Sequence, residues 1–384
     1  MYADHLLRPW LDAMVTEHRG VRIFDAHTHM GENDPSGFSA TVAELDDSLL
    51  TCDGRAVVFP LAEPGGYEKA NLRCASAAEA SDGRLVAFAR VTPADRPRQL
   101  LESALEAGAR GLKLHPSSDE FALDDPRLDE TLALADDHRL PVVVHAGPEL
   151  EGIGELALAV CDRYRGLRLV LAHCALTDLG WIGPQAVSRP NLFFDTSWWG
   201  AAHLMALFRT VPPGRILSGS DLPYSTPLSG ALTSMRCAHQ AGLDSDQIVS
   251  VAGGQLERLI AGDDPLDLGP APTSERTSLD PMLEVLTTAL VGALEPMQRG
   301  EDPGTALDVA RHACHVPPDS PNASTVASVA RLIEMYDAHH AELPRRNQFS
   351  PGRDLVLAAV VVARTPSAPD PELPTSGHDA APER

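Results

Sequence analysis

The sequence predicts an α/β protein built as a (β/α)8 TIM-type barrel with an appended C-terminal helical segment, and three observations lead there. Eight short apolar runs recur through the first 260 residues, each followed by a turn and a helix-like stretch. After the first interval their starts lie 23 to 30 residues apart, the length of a strand plus a crossover helix. The residues that carry chemistry stand at the C-terminal edges of these runs, which is where a barrel gathers its active site. An open doubly wound sheet would want a Gly-rich phosphate turn early in the chain, and none occurs.

In chain order the runs are VRIFDAHTHM from Val21, AVVFPLAE from Ala56, LVAFARVTP from Leu85 and GLKLHP from Gly111. They continue with PVVVHAG from Pro141, LRLVLAHC from Leu167, LFFDTSWW from Leu192 and RILSGSD from Arg215. Between them lie amphipathic stretches such as Asp125 to Leu140. There Pro126 occupies the first turn, and Leu128, Leu132, Leu134 and Ala135 form an apolar stripe. Residues 1–262 are therefore expected to form the barrel. Residues 263–281, rich in Pro, Asp, Ser and Thr, read as a linker. Residues 282–365 show apolar spacings of three and four and read as a helical extension, and the Pro-rich residues 366–384 as a disordered tail.

Composition narrows the function. Of 384 residues, 43% are hydrophobic, enough for a substantial core, and 54 acidic against 31 basic side chains leave a formal charge of −23. That balance argues against nucleic acid or anionic membrane as partners. The six cysteines are scattered with no C-x-x-C pair and read as reduced thiols. MYADHLLRPW lacks a signal-peptide profile, and the longest apolar stretch, DLVLAAVVVA, is about half the roughly 20 residues that a bilayer span needs. The expectation is a cytoplasmic protein acting on a small molecule, with self-association left open.

The polar residues at the run ends make one constellation. The first run ends in His27 and His29, the fourth in Lys113 and His115, the fifth in His145, the sixth in His173 and the eighth in Asp221. In a regular strand Asp25, His27 and His29 share a face, and alternate residues lie about 6.6–7 Å apart along it, so two imidazoles can reach one ion. The first and eighth strands are neighbours once a barrel closes. Three imidazoles and one carboxylate suit a single cation that keeps one position for water. Such a cation lowers that water's pKa or polarises a substrate oxygen, and a nearby histidine titrates in the range useful for moving the proton.

The stretches DAHTHM, GARGLKLHP, LPVVVHAG, VLAHC, RPNLFFDTSWW and ILSGSDLPYSTP, in this order, resemble the amidohydrolase superfamily over roughly residues 20 to 262. The branch is the amidohydrolase-related one that includes hydrolases, hydratases and decarboxylases. The resemblance implies metal ligation by His27, His29, His145 and Asp221, with Asp221 also accepting a proton and His173 acting as a non-ligand catalytic histidine. It implies one divalent cation, Zn²⁺ first and Mn²⁺ second. Lys113 is carbamylated and bridges two metals in some relatives; here the expectation is an unmodified lysine near the substrate. Gln255 stands where the family usually has asparagine, a departure that touches helix packing rather than chemistry. Asp25 is expected to orient a ligand histidine or, equally, to make a buried hydrogen bond to the barrel backbone, and His115 to be structural or to support a ligand rather than be one.

The expected reaction is hydrolysis of an amide, ester or lactone carbonyl. The alternative is nonoxidative decarboxylation of an aromatic or enol carboxylate, with Lys113 and Arg90 as cationic anchor. A third reading is a non-catalytic barrel that binds a partner through its extension. Cys174 beside His173 is rejected as a nucleophile, because its side chain points to the opposite face of the strand. Trp198 and Trp199 fit either the substrate pocket or ordinary packing.

Overall fold

The computed structural model describes residues 2–272, 279–345 and 347–372. The eight runs form nine strands: β1 Phe24–Met30, β2 Arg55–Pro60, β3 Leu85–Ala87, β4 Ala89–Arg90, β5 Leu112–Leu114, β6 Pro141–Val144, β7 Arg168–Leu171, β8 Leu192–Asp195 and β9 Ile216–Leu217. All neighbouring strands pair parallel, in the order β1-β2-β3 and β4 through β9. The third run is interrupted at Phe88. Its N–H donates to Val58 of β2 at 2.9 Å, and the next N–H, of Ala89, donates to Gly111 just before β5 at 2.9 Å. Phe88 is thus the corner where the two sheets meet.

The other seam is closed by single bonds rather than a continuous ladder. Ala26 N donates to Ser218 O, Asp221 N to His27 O and His29 N to Leu222 O, each at 2.8 Å. These bonds dock the segment after β9 directly on β1. The barrel interior is filled by Phe24, Val57, Phe59, Phe88, Val143, Val170, Phe193 and Leu217. Leu256 and Leu259, from the helix Gln255–Ala261, join that cluster. This helix plugs the end opposite the histidines, since its Glu257 meets Arg22 and Arg55 at the starts of the first two strands. Gln255 is buried and ties two loops: it donates to Gly214 O at 2.6 Å and accepts from Leu266 N at 3.0 Å.

The expected helix after Asp125 begins as a 3-10 turn, Pro126–Leu128, before the α-helix Asp129–Asp137. Asp125 accepts from Arg127 N at 2.9 Å, and Leu128, Leu132 and Ala135 face the core. Among the described residues the extension consists of four helices, Pro281–Met297, Gly304–Ala313, Ala323–His339 and Arg353–Arg364. The last contains the apolar stretch DLVLAAVVVA and is buried from Arg353 through Ala363, as a helix apolar on all sides must be. It packs among the helices Pro281–Met297, Ala323–His339 and Pro227–Ala241. No helix among the described residues is long and apolar enough to cross a membrane. All six cysteines are free, five of them buried.

Residues 273–278 of the linker and 373–384 of the tail lie outside the described residues. The start of that tail is docked rather than loose. Buried Arg236 donates to Thr365 Oγ1 at 3.0 Å, to Pro369 O at 2.8 Å and to Asp370 at 3.0 Å. A buried guanidinium needs such acceptors, and this stretch supplies them. At the other end of the chain, the helix Asp4–Glu17 buries Leu7, Trp10, Leu11 and Met14, and Trp10 Nε1 donates to Ser328 Oγ at 2.8 Å. The helix Asp4–Glu17 and residues 365–370 therefore join extension to barrel. Leu355→Ala, in the buried helix, is expected to cost about 2–5 kcal/mol in urea unfolding, with the midpoint lowered and the slope unchanged.

Candidate metal centre

The barrel mouth collects the residues that the run ends predicted, but the first strand does so through an irregularity. Between Asp25 and Thr28 β1 advances three residues while β2 advances two, from Ala56 to Val58. The extra residue is a bulge, which bends a strand and re-aims a side chain. Phe24 and Ala26 belong to the interior cluster, and beyond the bulge His27 and His29 face that same interior. Their rings lie 5.1 and 4.6 Å from the ring of Phe59. Asp25 therefore does not share their face, as a regular strand would require. Its carboxylate accepts the N–H groups of His27 (2.9 Å) and Ser220 (3.0 Å), so it fixes the bulge and the loop after β9. It positions the backbone of His27 rather than its ring. Burial pushes the Asp25 carboxyl up to about 7.

His27, His29 and Asp221 converge. Asp221 Oδ1 lies 3.2 Å from His27 Nε2 and 3.1 Å from His29 Nε2, and one donor atom from each residue falls within 4.8 Å of the other two. Asp221 has φ +61° and His173 φ +55°, backbone conformations that non-glycine residues rarely adopt and that gather at functional sites. The approach of the β9 loop is close: a Cβ on Gly219 would lie 3.1 Å from the Cβ of His27.

The donor set fits a cation. His27 Nδ1 donates to Asp195 Oδ2 at 2.8 Å, which leaves the Nε2 lone pair directed at the cluster. His29 Nδ1 faces the Pro60 carbonyl at 3.4 Å, with the same consequence. Burial drives both imidazoles well below their usual range, toward the neutral form that binds metal, and drives the Asp221 carboxyl well above its own. Two neutral imidazoles and a carboxylate gathered at the edge of a cavity are a ligand set for a divalent ion.

Asp195, at the end of β8, received no role from the sequence, yet it organises the centre. It is wholly buried and accepts from His27 Nδ1, from His173 N at 2.9 Å and from Ser197 N at 3.0 Å. Its signal was present: LFFD is an apolar run ending in a polar residue, the same pattern that marked His173.

His145, expected as a ligand, stands apart from the cluster of three. Its Nδ1 lies 3.0 Å from His173 Nε2, and its Nε2 pairs with Glu149. His115 stacks on it, ring centres 3.8 Å apart and 14° from parallel. His173 Nδ1 lies 2.6 Å from the carbonyl of Ser197, so that nitrogen carries a hydrogen. The chain from Ser197 O to the Glu149 carboxylate holds two rings between two acceptors. Burial presses the His173 ring, like that of His145, toward the neutral form, so the tautomers of the two rings decide which of these contacts carries a hydrogen. The hydrogen bond from His145 holds the Glu149 carboxyl down at about 2, while burial presses the His145 ring toward neutrality.

Lys113 lies beneath the histidines, fully buried, with Nζ 3.1 Å from His27 Nε2 and 4.7 Å above the ring of Phe59. Burial pushes it down to about 7. It lies behind His27 and Phe59 rather than among the residues that line the cavity at the barrel mouth. Arg90 does reach the cavity, but its guanidinium is paired with Asp119 at 3.0 Å and donates to Pro60 O at 3.3 Å. Cys174 is buried and its thiol is raised well above the usual range, which agrees with its rejection as a nucleophile.

Beside the cluster opens a cavity of about 640 Å³, lined among others by His29, His145, Glu149, His173, Trp198 and Asp221. A substrate-sized space thus touches both the three-residue group and the His–His–Glu unit.

Among solved structures, the chain resembles an uncharacterised TIM-barrel protein from Bordetella bronchiseptica, with a TM-score of 0.51 and 17% identity. The match covers 63% of this chain and 99% of that one. It also resembles a 2,6-dihydroxybenzoate decarboxylase, with a TM-score of 0.50, 14% identity, and coverage of 63% and 99%. At these identities the likeness shows the fold alone. No curated protein sequence matches. The amidohydrolase family profile matches residues 24–234, from the first residue of β1 into the helix after Asp221 and across more than half of the 384 residues. The chain belongs to the amidohydrolase family of metal-dependent enzymes.

Proposed function

We propose that this chain is a metal-dependent hydrolase that attacks an amide, ester or lactone carbonyl of a small molecule. The observation that carries the reading is the approach of Asp221 to both His27 and His29 at the edge of the 640 Å³ cavity. These three residues would hold one divalent cation, Zn²⁺ in the first place. When bound, the cation supplies Lewis acidity, which lowers the pKa of water toward neutrality and polarises the carbonyl.

The chain's own groups do the rest. Asp195 keeps His27 in the tautomer that presents Nε2, and Asp25 keeps its backbone in place. Asp221 faces both the histidines and the cavity, so its carboxylate is the acceptor for the water's proton. As the new C–O bond forms and the bond to the leaving group breaks, that proton returns to the leaving nitrogen or oxygen. His145 is read here as a proton carrier rather than a ligand. With His173 and Glu149 it links the cavity to solvent, since the Glu149 side chain is 46% exposed.

Decarboxylation is disfavoured because its cationic anchor is occupied: Arg90 is neutralised by Asp119, and Lys113 is held under His27. The test is exhaustive chelation, followed by divalent-metal add-back, on a panel of aryl amides, esters, lactones and aromatic carboxylates. The expected result is hydrolysis lost on chelation and restored by metal. Carbon dioxide release from the carboxylates, or full hydrolysis after chelation, would contradict it.

A further inference from the structure

Asp221 begins the segment Asp221–Thr226, and residues beyond the reach of the family profile, which ends at residue 234, tie that segment down. With φ +61°, Asp221 holds a conformation that persists only where its surroundings fix it. On the barrel side Asp221 N donates to His27 O and His29 N to Leu222 O, each at 2.8 Å. Tyr224 N closes the turn on Asp221 O at 2.7 Å. The carbonyl of Tyr224 in its turn accepts from Arg353 Nη2, in the extension, at 2.6 Å. Pro223 O accepts from the Tyr2 hydroxyl at 2.9 Å, and Asn347 Nδ2 donates to that hydroxyl at 3.3 Å.

Arg353 is preset for this contact. It is buried at the start of the helix Arg353–Arg364. Its guanidinium pairs with Asp354 at 2.9 Å, donates to Gln298 Oε1 at 2.9 Å and lies 4.0 Å from the centre of the Phe349 ring. A planar fork held on three sides meets the Tyr224 carbonyl with little freedom left to lose. The contact also borders the reaction space. Trp198, Asp221 and Tyr224 line both the 640 Å³ cavity and a second one of about 390 Å³, to which Gln298, Phe349 and Arg353 contribute.

We infer that Arg353 is a positioning residue for Asp221. Through Tyr224 the extension holds the turn that sets the Asp221 carboxylate against His27 and His29, and so governs how tightly the cation is bound. The inference rests on the metal-centre reading.

The test is Zn²⁺ affinity of the full chain, by competition with a chelating dye, beside its unfolding midpoint in urea. Arg353→Lys keeps the charge opposite Asp354 but loses the fork that serves Tyr224 and Gln298 together. Arg353→Met combined with Asp354→Asn removes both charges and every donor. Leu355→Ala loosens the same helix and leaves Arg353 in place. Affinity is expected to fall about fivefold in Arg353→Lys and about tenfold or more in the double variant. In Leu355→Ala it should stay within about twofold of wild type although the midpoint falls. The visible absorption bands of the Co²⁺-loaded protein should shift in Arg353→Lys and stay put in Leu355→Ala, which a merely stabilising role would not produce. If the double variant does not fold, Arg353→Lys decides alone, since it retains the buried ion pair. Wild-type affinity and wild-type bands in Arg353→Lys would overturn the inference, and so would an equal loss in Leu355→Ala. Wild-type protein that binds no Zn²⁺ would defeat the metal centre itself and this inference with it.

Discussion

Replacing His27 by alanine is expected to strip the protein of its divalent cation and to lower turnover by roughly 10³-fold or more. His27 is the most constrained member of the cluster. Its Nδ1 is held by Asp195, its Nε2 faces Asp221 and Lys113, and its ring is wholly buried. No neighbouring side chain can take its place without breaking that set. Alanine also leaves Asp195 buried without its ring partner, so some loss of stability should accompany the loss of metal. Circular dichroism separates the two effects. A folded variant that keeps metal and activity would remove His27 from the site.

Asp195→Asn is the second large effect, and the sharper one because it leaves every proposed ligand in place. An amide at this position still fills the volume and still accepts from His173 N and Ser197 N through its oxygen. It no longer holds His27 Nδ1–H by charge, and its NH₂ group can favour the other tautomer. The expected outcome is a 10- to 100-fold loss in metal affinity, read by competition with a chelating dye. Turnover at saturating metal should fall less. Unchanged affinity would mean that Asp195 serves packing alone.

Most of this architecture could be read from the sequence, because a buried parallel strand announces itself locally as an apolar run and the polar residue that ends it marks the barrel mouth. His27, His29, His173 and Asp221 all stand at such ends, and so does Asp195 at the end of LFFD. What resisted was non-local. The bulge in β1 is a mismatch between two strands, three residues against two, and neither strand shows it alone. A strict alternation of faces therefore put Asp25 with the histidines, whereas its carboxylate binds backbone N–H groups of His27 and Ser220. The end of β6 was legible but not the direction of its histidine. His145 turns toward His173 and Glu149, and that choice depends on its own loop, which carries Glu149, and on the turn after β7, which carries His173. The helical extension was visible as helices through spacings of three and four. Its contribution to a cavity was not, since Gln298 and Phe349 meet Trp198 only through the tertiary fold.

The most direct test of the central claim is the metal content of the purified protein beside that of Asp221→Ala, by elemental mass spectrometry after dialysis against trace chelator. The wild-type chain should carry about one equivalent of a divalent cation, and Asp221→Ala close to none while remaining folded. Equal metal in both proteins, or none in the wild type even after reconstitution, would contradict a metal centre built from His27, His29 and Asp221.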